Sequence, residues 1–198
     1  MSILIGCEES GTVRDALIRR GHDAWSCDIL PSRGEYTEKH IQGDIMEILY
    51  DPRWNALIAF PDCTFMANSG AKHLYNNQDK TQGINRDRLN KMVRAAMFFK
   101  TLLDAPIEKI ALENPQMLGY AMDIIGKKQT QIIQPWQFGH PETKKTYLWL
   151  KGFPELEPTN IVEGREQRIW KMPPGPNRKR ERSKTYKGIA DAMAEQWF

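Results

Sequence analysis

Short apolar segments of strand length alternate with helical segments along most of this chain. The segment Ser2–Gly6 (SILIG) is apolar, and the segment at 10–21 that follows it has Val13, Ala16 and Leu17 at helical spacing. Strands that are joined through helices run parallel, and the helices cover both faces of their sheet. The alternation therefore predicts a single α/β domain over residues 1–198, with a mostly parallel, Rossmann-like sheet and helices on both faces.

Further segments extend this pattern towards the C-terminus. The predicted strands span 2–6, 22–30, 54–60, 107–115, 130–139 and 146–152, and the predicted helices span 10–21, 86–103 and 188–198. The clearest helix is 86–103, because its apolar side chains form one stripe. Residues 40–49 predict a turn at Gly43 and Asp44. Beyond Gly152 the chain is rich in proline and charge and lacks periodicity until the last helix.

Polar side chains stand at the ends of three predicted strands. Asp28 ends the second strand, Cys63 follows the third, and Glu113 ends the fourth. The carboxyl ends of strands in an open α/β sheet line one crevice, where such folds bind ligands. A cysteine with a glutamate suits covalent catalysis with a proton donor, and an acid after a second strand suits a ribose hydroxyl. A single cysteine or glutamate at such a position is more often a core, turn or cap residue, but the order and spacing of all three favour a site.

Positive charge is concentrated near the C-terminus. Between Lys171 and Lys187 there are seven basic residues and one acid, Glu181, whereas the whole chain carries a net charge of only +3. Such a cluster is either a solvated loop or a surface that binds phosphates. The run of 20 apolar residues needed to span a bilayer is missing from the sequence. Three widely spaced cysteines, without C-x-x-C spacing, argue against disulfides and zinc and predict a cytoplasmic protein.

Several motifs, which follow one another along the chain in the family's order, resemble those of the DNA cytosine C5-methyltransferases, and most closely the short, phage-type members. FPDC at 60–63 resembles the Pro-Cys motif, and ENP at 113–115 resembles the Glu-Asn-Val motif. QGDI at 42–45 resembles the segment that contacts the adenine of S-adenosylmethionine. FGHPETKKTYLWLKG at 138–152 and YKGIADAMAEQW at 186–197 resemble the two last motifs. The resemblance implies the S-adenosylmethionine-dependent methyltransferase fold, in a bacterial or phage-infected cell.

The resemblance also implies a set of site residues. The implied catalytic residues are Cys63, Glu113, Asn114 and Lys144. The implied cofactor-binding residues are Gly6, Cys7, Glu8, Ser10, Gly11, Asp28, Ile29, Asp44, Ile45 and Pro61. The basic residues assigned to DNA are Arg178, Lys179, Arg180, Arg182 and Lys184, with Trp170 as a candidate for stacking on a base. No metal ligand is implied.

The implied reaction transfers a methyl group from S-adenosylmethionine to C5 of cytosine in DNA. The Cys63 thiolate adds to C6 and makes C5 nucleophilic, while protonated Glu113 stabilises the charge at N3. A thiolate needs a cation nearby, and Lys144 stands where the family has an arginine. The base must leave the duplex to reach the pocket.

The chain departs from the family pattern at several places. The GCEESG segment at 6–11 has fewer glycines than the family's cofactor loop, and Asp62 beside the thiol is expected to raise the pKa of Cys63. Thr146 replaces a second arginine. A reduced basic insertion at 151–185 stands in place of a full target-recognition region, which leaves room for a separate recognition protein.

Three alternatives stay open. The first is a non-catalytic homologue that binds DNA or a partner. The second is an enzyme that acts on free cytosine nucleotides, and the third is an amino-methyltransferase. The last is disfavoured because Cys63-Thr64 stands where that class has proline and an aromatic ring. The polar segment at 72–88 is either a loop that closes on DNA or an ordinary surface loop.

Overall fold

This computed structural model describes residues 1–176 and 178–198. A mixed sheet of seven strands lies at the centre of the fold. The strands are β1 (Ser2–Gly6), β2 (Asp23–Asp28), β3 (His40–Gln42), β4 (Trp54–Ala59), β5 (Lys109–Asn114), β6 (Gln131–Ile133) and β7 (Thr146–Lys151). Their order across the sheet is β3-β2-β1-β4-β5-β7-β6. Strands β1 to β5 run parallel to one another, and β7 is antiparallel to both of its neighbours.

Helices cover both faces of this sheet. They are α1 (Thr12–Arg19), α2 (Arg86–Leu103), α3 (Gly119–Ile125), α4 (Arg168–Lys171), α5 (Arg178–Ser183) and α6 (Lys187–Gln196). On one face, α1 and α6 pack on the side chains of Ile3 and Ile5. On the other face, α2 and α3 pack on Leu4 and Leu57. Alternate residues of β1 thus enter opposite cores, as strand geometry requires, and the predicted Rossmann-like α/β fold class is confirmed.

The structure also corrects the sequence predictions in places. Residues 40–42 form the edge strand β3 and not part of a turn, because three residues are too few to show a period. The strand predicted at 130–139 ends at Ile133, since Pro135 opens a single 3₁₀ turn over Pro135–Gln137. Helix α3 had no sequence prediction, and the short helices α4 and α5 lie in the segment where we expected irregular chain.

A buried ion pair fastens α1 to the loop after β2. Arg14 is completely buried, and its Nε donates to Asp15 Oδ1 over 2.8 Å. Its Nη1 donates to the hydroxyls of Ser26 on β2 and Ser32 in the loop, over 2.8 and 2.9 Å. Asp15 Oδ2 accepts from the backbone N–H of Glu35 over 2.6 Å. The pair thus positions the N-terminal half of α1 against the β2 end of the sheet.

No helix in the described part of the chain has the length and apolar character needed to cross a bilayer.

Candidate active site

The carboxyl ends of β1 and β4 flank the point where the chain connections diverge. From β1 the chain passes through α1 to β2 on one side, and from β4 it passes through α2 to β5 on the other. In open α/β sheets this divergence leaves a crevice at the carboxyl ends of the two central strands. Cys7 directly follows β1, and Cys63 lies four residues beyond the end of β4. Two of the three cysteines, all of which are free, therefore lie at this crevice.

The turn that carries Cys63 is held by hydrogen bonds on both sides of the cysteine. Asp62 Oδ1 accepts from the backbone N–H and the hydroxyl of Thr64, over 2.9 and 2.6 Å. The carbonyl of Cys63 accepts from the N–H groups of Met66 and Ala67, over 3.0 and 2.8 Å. Cys63 itself is partly buried. The sequence placed the thiol at a strand end, and the structure shows that the turn orients it.

The end of β5 is joined to the same turn. Asn114 is buried, and its Nδ2 donates to the carbonyl of Pro61 over 2.8 Å. Its Oδ1 is buried and has no hydrogen-bond partner in the described residues. A buried acceptor left free in this way costs free energy unless a ligand donates to it. Asn114 therefore connects the strand that carries Glu113 with the turn that carries Cys63.

Charges of both signs converge on the thiol. Burial raises the pKa of Cys63, the negative charges of Glu113 and Asp62 raise it further, and Lys144 lowers it. Burial likewise raises the pKa of Glu113, against the lowering effect of Lys144. The backbone N–H of Lys144 donates to Gln134 Oε1 over 3.0 Å, which fixes this residue beside the site. Cys63, Glu113 and Lys144 thus lie within electrostatic range of one another, and their catalytic roles stay predictions. The effect of Asp62 on the pKa of Cys63 has the expected direction.

The carboxylate of Glu8 is engaged by the start of α1. Its Oε1 accepts from the N–H of Val13 over 2.7 Å, and its Oε2 accepts from the N–H of Arg14 over 3.2 Å. Burial raises the pKa of Glu8 to about 7, although these two hydrogen bonds lower it. Glu8 was predicted to bind the cofactor. The structure places its carboxylate at the N-terminus of α1, where it accepts from N–H groups that a phosphate could otherwise occupy.

The raised pKa of Glu8 predicts that stability falls as the pH rises. An unfolded Glu8 loses its proton near pH 4.5 and the folded one near pH 7, so the folded state binds more protons between these values. We expect the wild type to lose up to roughly 3 kcal/mol of stability across this interval relative to Glu8→Gln, which does not titrate. Urea unfolding at pH 4.5, 6 and 7.5 measures this, with exposed Glu38→Gln as the control. Parallel pH profiles for the wild type and Glu8→Gln would contradict it.

An acidic environment surrounds Cys7 at the end of β1. Burial raises the pKa of Cys7 to about 12, and the negative charges of Asp28, Asp44 and Asp62 contribute in the same direction. Cys7 also has a φ of 56°, the left-handed region that is uncommon for a residue with a Cβ. Its N–H donates to the carbonyl of Cys27 over 2.8 Å. The backbone therefore turns sharply at the point where three carboxylates converge.

The other predicted cofactor residues divide into accessible and packed ones. Ile29 is 73% exposed next to the partly exposed Asp28, and Ser10 and Asp44 also reach solvent. The remaining predicted residues, Gly6, Gly11, Ile45 and Pro61, are buried. A Cβ on Gly6 would collide with Ile45 Cδ1, and one on Gly11 (φ 70°) would come within 2.7 Å of Gly34 Cα. Pro61 is buried, and its carbonyl is the acceptor for Asn114.

The basic residues assigned to DNA lie on and after α5. Arg178 and Arg182 are partly buried and donate to the carbonyls of Met172 and Ile169, over 2.8 and 3.2 Å. Arg180 and Lys184 are exposed, the side chain of Lys179 lies outside the described part of the chain, and Trp170 is 72% exposed. Lys184 also lines a cavity of about 550 Å³ between α1 and the 168–187 segment.

Sequence inspection missed the contacts that hold this basic segment. Glu142 accepts from Arg168 Nε over 2.9 Å and from the Tyr186 hydroxyl over 2.5 Å. The N–H of Thr143 donates to the carbonyl of Glu166 over 2.8 Å. Glu142 lies two residues before the predicted Lys144, but its contacts could hardly be inferred from the sequence, because its partners lie 26 and 44 residues away along the chain.

The comparisons with known proteins give structural neighbours only. No protein-family model matches the chain, and no curated protein matches it. Among solved structures, it is similar to a putative DNA modification methyltransferase encoded within an E. coli prophage, at 13% identity and a TM-score of 0.48, over 82% of this chain and 52% of that one. It is also similar to the Entamoeba histolytica methyltransferase EhMeth, at 16% identity and a TM-score of 0.46, over 83% of this chain and 57% of that one.

A third neighbour is the S. pombe Dnmt2 methyltransferase, at 14% identity and a TM-score of 0.42, over 86% of this chain and 53% of that one. The chain thus spans little more than half the length of these proteins. At such identities their activities do not extend to this chain.

Proposed function

We propose that this protein transfers a methyl group from S-adenosylmethionine to C5 of cytosine in DNA. The observation that carries the proposal is the convergence of Cys63, Glu113 and Lys144 at the carboxyl ends of β4 and β5. These are a nucleophile, a carboxyl group whose pKa is raised, and a cation that favours the thiolate. Cysteine addition to a pyrimidine needs these three groups together.

The charges at the end of β1 support the choice of cofactor. Carboxylates of Asp28, Asp44 and Asp62 act on Cys7, and Glu8 occupies the start of α1. These negative charges disfavour a cofactor with phosphates and favour the cationic S-adenosylmethionine, whose sulfonium supplies an electrophilic methyl group. Exposed Ile29 offers an apolar surface to an adenine, and Asp28 offers an acceptor to ribose hydroxyls.

Residues of the chain then perform the steps on cytosine. The Cys63 thiolate forms a bond to C6, and the electron pair of the C5–C6 double bond moves towards C5. Glu113, whose pKa is raised by burial, donates to N3 from its protonated form and stabilises the charge that develops on the ring. After C5 has gained its methyl group, a base removes the C5 proton and Cys63 leaves as a thiolate, which restores the double bond.

A second candidate function is binding of DNA or a partner without turnover. The observation in its favour is the raised pKa of Cys63, which keeps the thiol protonated in the free protein. Action on free cytosine nucleotides is the third candidate, and the basic side chains on and after α5 favour DNA over it. The first two candidates differ in whether Cys63 is required for a chemical product.

The decisive experiment compares the wild type with Cys63→Ala. We expect 5-methyldeoxycytidine, measured by nucleoside mass spectrometry, in DNA from cells that lack other cytosine methylation and express the wild type. None should form with Cys63→Ala, since this change removes the thiol that is proposed to add to C6. Cys27→Ala, which removes a buried thiol on β2, two strands away from β4, is the matched control and should retain the product.

The outcomes separate the candidates. Product in both the wild type and Cys63→Ala would exclude the covalent mechanism. If neither forms product but S-adenosylmethionine binds in calorimetry, the C5 activity on DNA is excluded and an assay on free cytosine nucleotides follows. If the cofactor does not bind either, the binding protein without turnover is favoured.

Binding of DNA through the basic segment predicts a strong dependence on salt. Each phosphate contact releases counterions, so the logarithm of affinity should fall linearly with the logarithm of salt concentration. We expect Arg180→Gln and Lys184→Gln each to reduce that slope by about one. Fluorescence anisotropy with a labelled duplex between 50 and 200 mM salt measures it. Lys128→Gln, an exposed lysine outside the basic segment, is the control, and affinity that is insensitive to salt would contradict this role.

A further inference from the structure

The turn that carries Cys63 is attached to β5 and to α2, before and after the cysteine. On β5, Asn114 Nδ2 donates to the carbonyl of Pro61 over 2.8 Å, two residues before the thiol. On α2, Arg88 Nη2 donates to the carbonyl of Thr64 over 2.6 Å, one residue after it. The second contact joins the turn to α2 directly, across the polar segment that separates them in the chain. The backbone around Cys63 is therefore held from both sides.

The guanidinium of Arg88 is itself held in place. Its Cζ lies over the ring of Phe65, 4.4 Å from the ring centre, which is the arrangement of a cation–π contact. The backbone N–H of Arg88 donates to Oδ1 of Asn85, the N-cap residue of α2, over 3.0 Å. A Cβ on Gly70 would lie only 3.3 Å from Arg88 Nη2. The aromatic ring, the cap and the close glycine thus restrict the positions open to this partly buried side chain.

Helix α2 provides a fixed base for the contact with Thr64. Its buried side chains, among them Met92, Ala96 and Phe99, pack in the core against the sheet. A hydrogen bond from a charged donor is stronger than one between neutral groups, and an arginine keeps its charge at all working pH values. Arg88 thus transmits the position of a core helix to the turn of the candidate nucleophile.

We propose that Arg88 is a positioning residue of the Cys63 site, which fixes the Thr64 carbonyl and so holds the thiol in the orientation for attack on C6. The inference rests on the proposed role of Cys63 as the nucleophile. Bond formation requires that sulfur and C6 approach to about 3–3.5 Å with their orbitals aligned, and a misplacement of about 1 Å costs roughly 10²-fold in rate. Arg88 acts in this role through the backbone of the turn and not on the reacting atoms.

The first test is steady-state kinetics. We expect Arg88→Ala to lower kcat for methylation of a DNA duplex about 10- to 100-fold and to leave KM for DNA and for S-adenosylmethionine nearly unchanged, because it misplaces the nucleophile and keeps the binding surfaces. Arg88→Lys should recover part of kcat, since an ammonium group can donate to the Thr64 carbonyl but cannot stack on Phe65 as a flat guanidinium does. Arg94→Ala, which removes an exposed arginine from the same helix, is the matched control.

The second test needs neither DNA nor S-adenosylmethionine. It is the rate of Cys63 alkylation by iodoacetamide as a function of pH, resolved from the other thiols by peptide mass spectrometry. We expect Arg88→Ala to raise this rate about three- to tenfold, because a turn released from α2 opens more often and exposes the partly buried thiol. The midpoint of the profile should stay in place, since the charges that act on the thiol are those of Glu113, Asp62 and Lys144.

The two tests can each overturn the proposal. An undiminished kcat in an active enzyme, a rise in KM in place of the fall in kcat, or an unchanged rate of Cys63 alkylation would do so. Equally faster alkylation of all three thiols would show a general loss of structure and would also overturn it. If circular dichroism shows that Arg88→Ala is unfolded, Arg88→Lys replaces it, with a smaller increase expected at Cys63 alone. A wild type that makes no 5-methylcytosine would contradict the proposed function, whereas the alkylation test would still decide whether Arg88 holds the turn.

Discussion

Glu113→Gln is expected to abolish methylation and, at the same time, to make Cys63 more reactive. The amide cannot supply the proton of a carboxylic acid to N3, so formation of 5-methyldeoxycytidine should fall by about 10²- to 10⁴-fold, the range found for general acids. The same change removes a negative charge that raises the pKa of Cys63. The midpoint of Cys63 alkylation should therefore move to lower pH.

These two opposite effects make the prediction sharp. A variant that merely unfolds would expose all three thiols, whereas this one should show faster alkylation at Cys63 alone. Glu108→Gln, an exposed glutamate just before β5, is the control for both measurements. Undiminished methylation by Glu113→Gln would remove Glu113 from the mechanism. A midpoint that moves to higher pH would contradict the electrostatic contact between Glu113 and Cys63.

Arg14→Ala is expected to cost about 3–5 kcal/mol of stability, the usual effect of breaking a buried ion pair on one side. Arg14 is fully buried, and its removal leaves Asp15 with an uncompensated charge and takes a donor away from Ser26 and Ser32. The loop after β2 would lose the hydrogen bond between Arg14 and Ser32, which is one of its attachments to α1. Urea unfolding, followed by circular dichroism, measures the free energy of unfolding.

Arg19→Ala is the control for this prediction. Arg19 lies on the same helix and also pairs with an acid, Glu35, but its side chain is 46% exposed. Its loss should cost at most about 1 kcal/mol. A second comparison uses the double variant Arg14→Ala/Asp15→Ala, which should be more stable than the sum of the two single changes predicts, because no charge is left unpaired. Equal stability of Arg14→Ala and Arg19→Ala would contradict the structure around α1.

Two predicted site residues show that the sequence can indicate the position of a residue in the fold but not its hydrogen-bond partners. Cys63 could be placed at a strand end because an apolar run of strand length precedes it, and strand ends at the same edge of a parallel sheet meet. Glu8 could be assigned to the same crevice. Its hydrogen bonds with the N–H groups of Val13 and Arg14 could not be predicted, since they depend on how the chain turns at Cys7. Their catalytic and cofactor-binding roles remain predictions.

Local patterning alone determined the α/β class, most of the strands and the three longest helices, α1, α2 and α6. Side-chain periodicity and turn residues act over a few positions, so they can be recognised in one dimension. The exceptions were short or polar: β3 has three residues, and α5 has no apolar stripe.

Only the tertiary structure decided what surrounds the candidate nucleophile. The order of strands sets Cys63 beside Glu113, and the hydrogen bond from Asn114 joins their two strand ends. The burial of Arg14 and the carboxylates around Cys7 were likewise hidden in the sequence. The physical reason is common to all of them: burial and electrostatic interaction depend on distances in space between residues that are far apart along the chain.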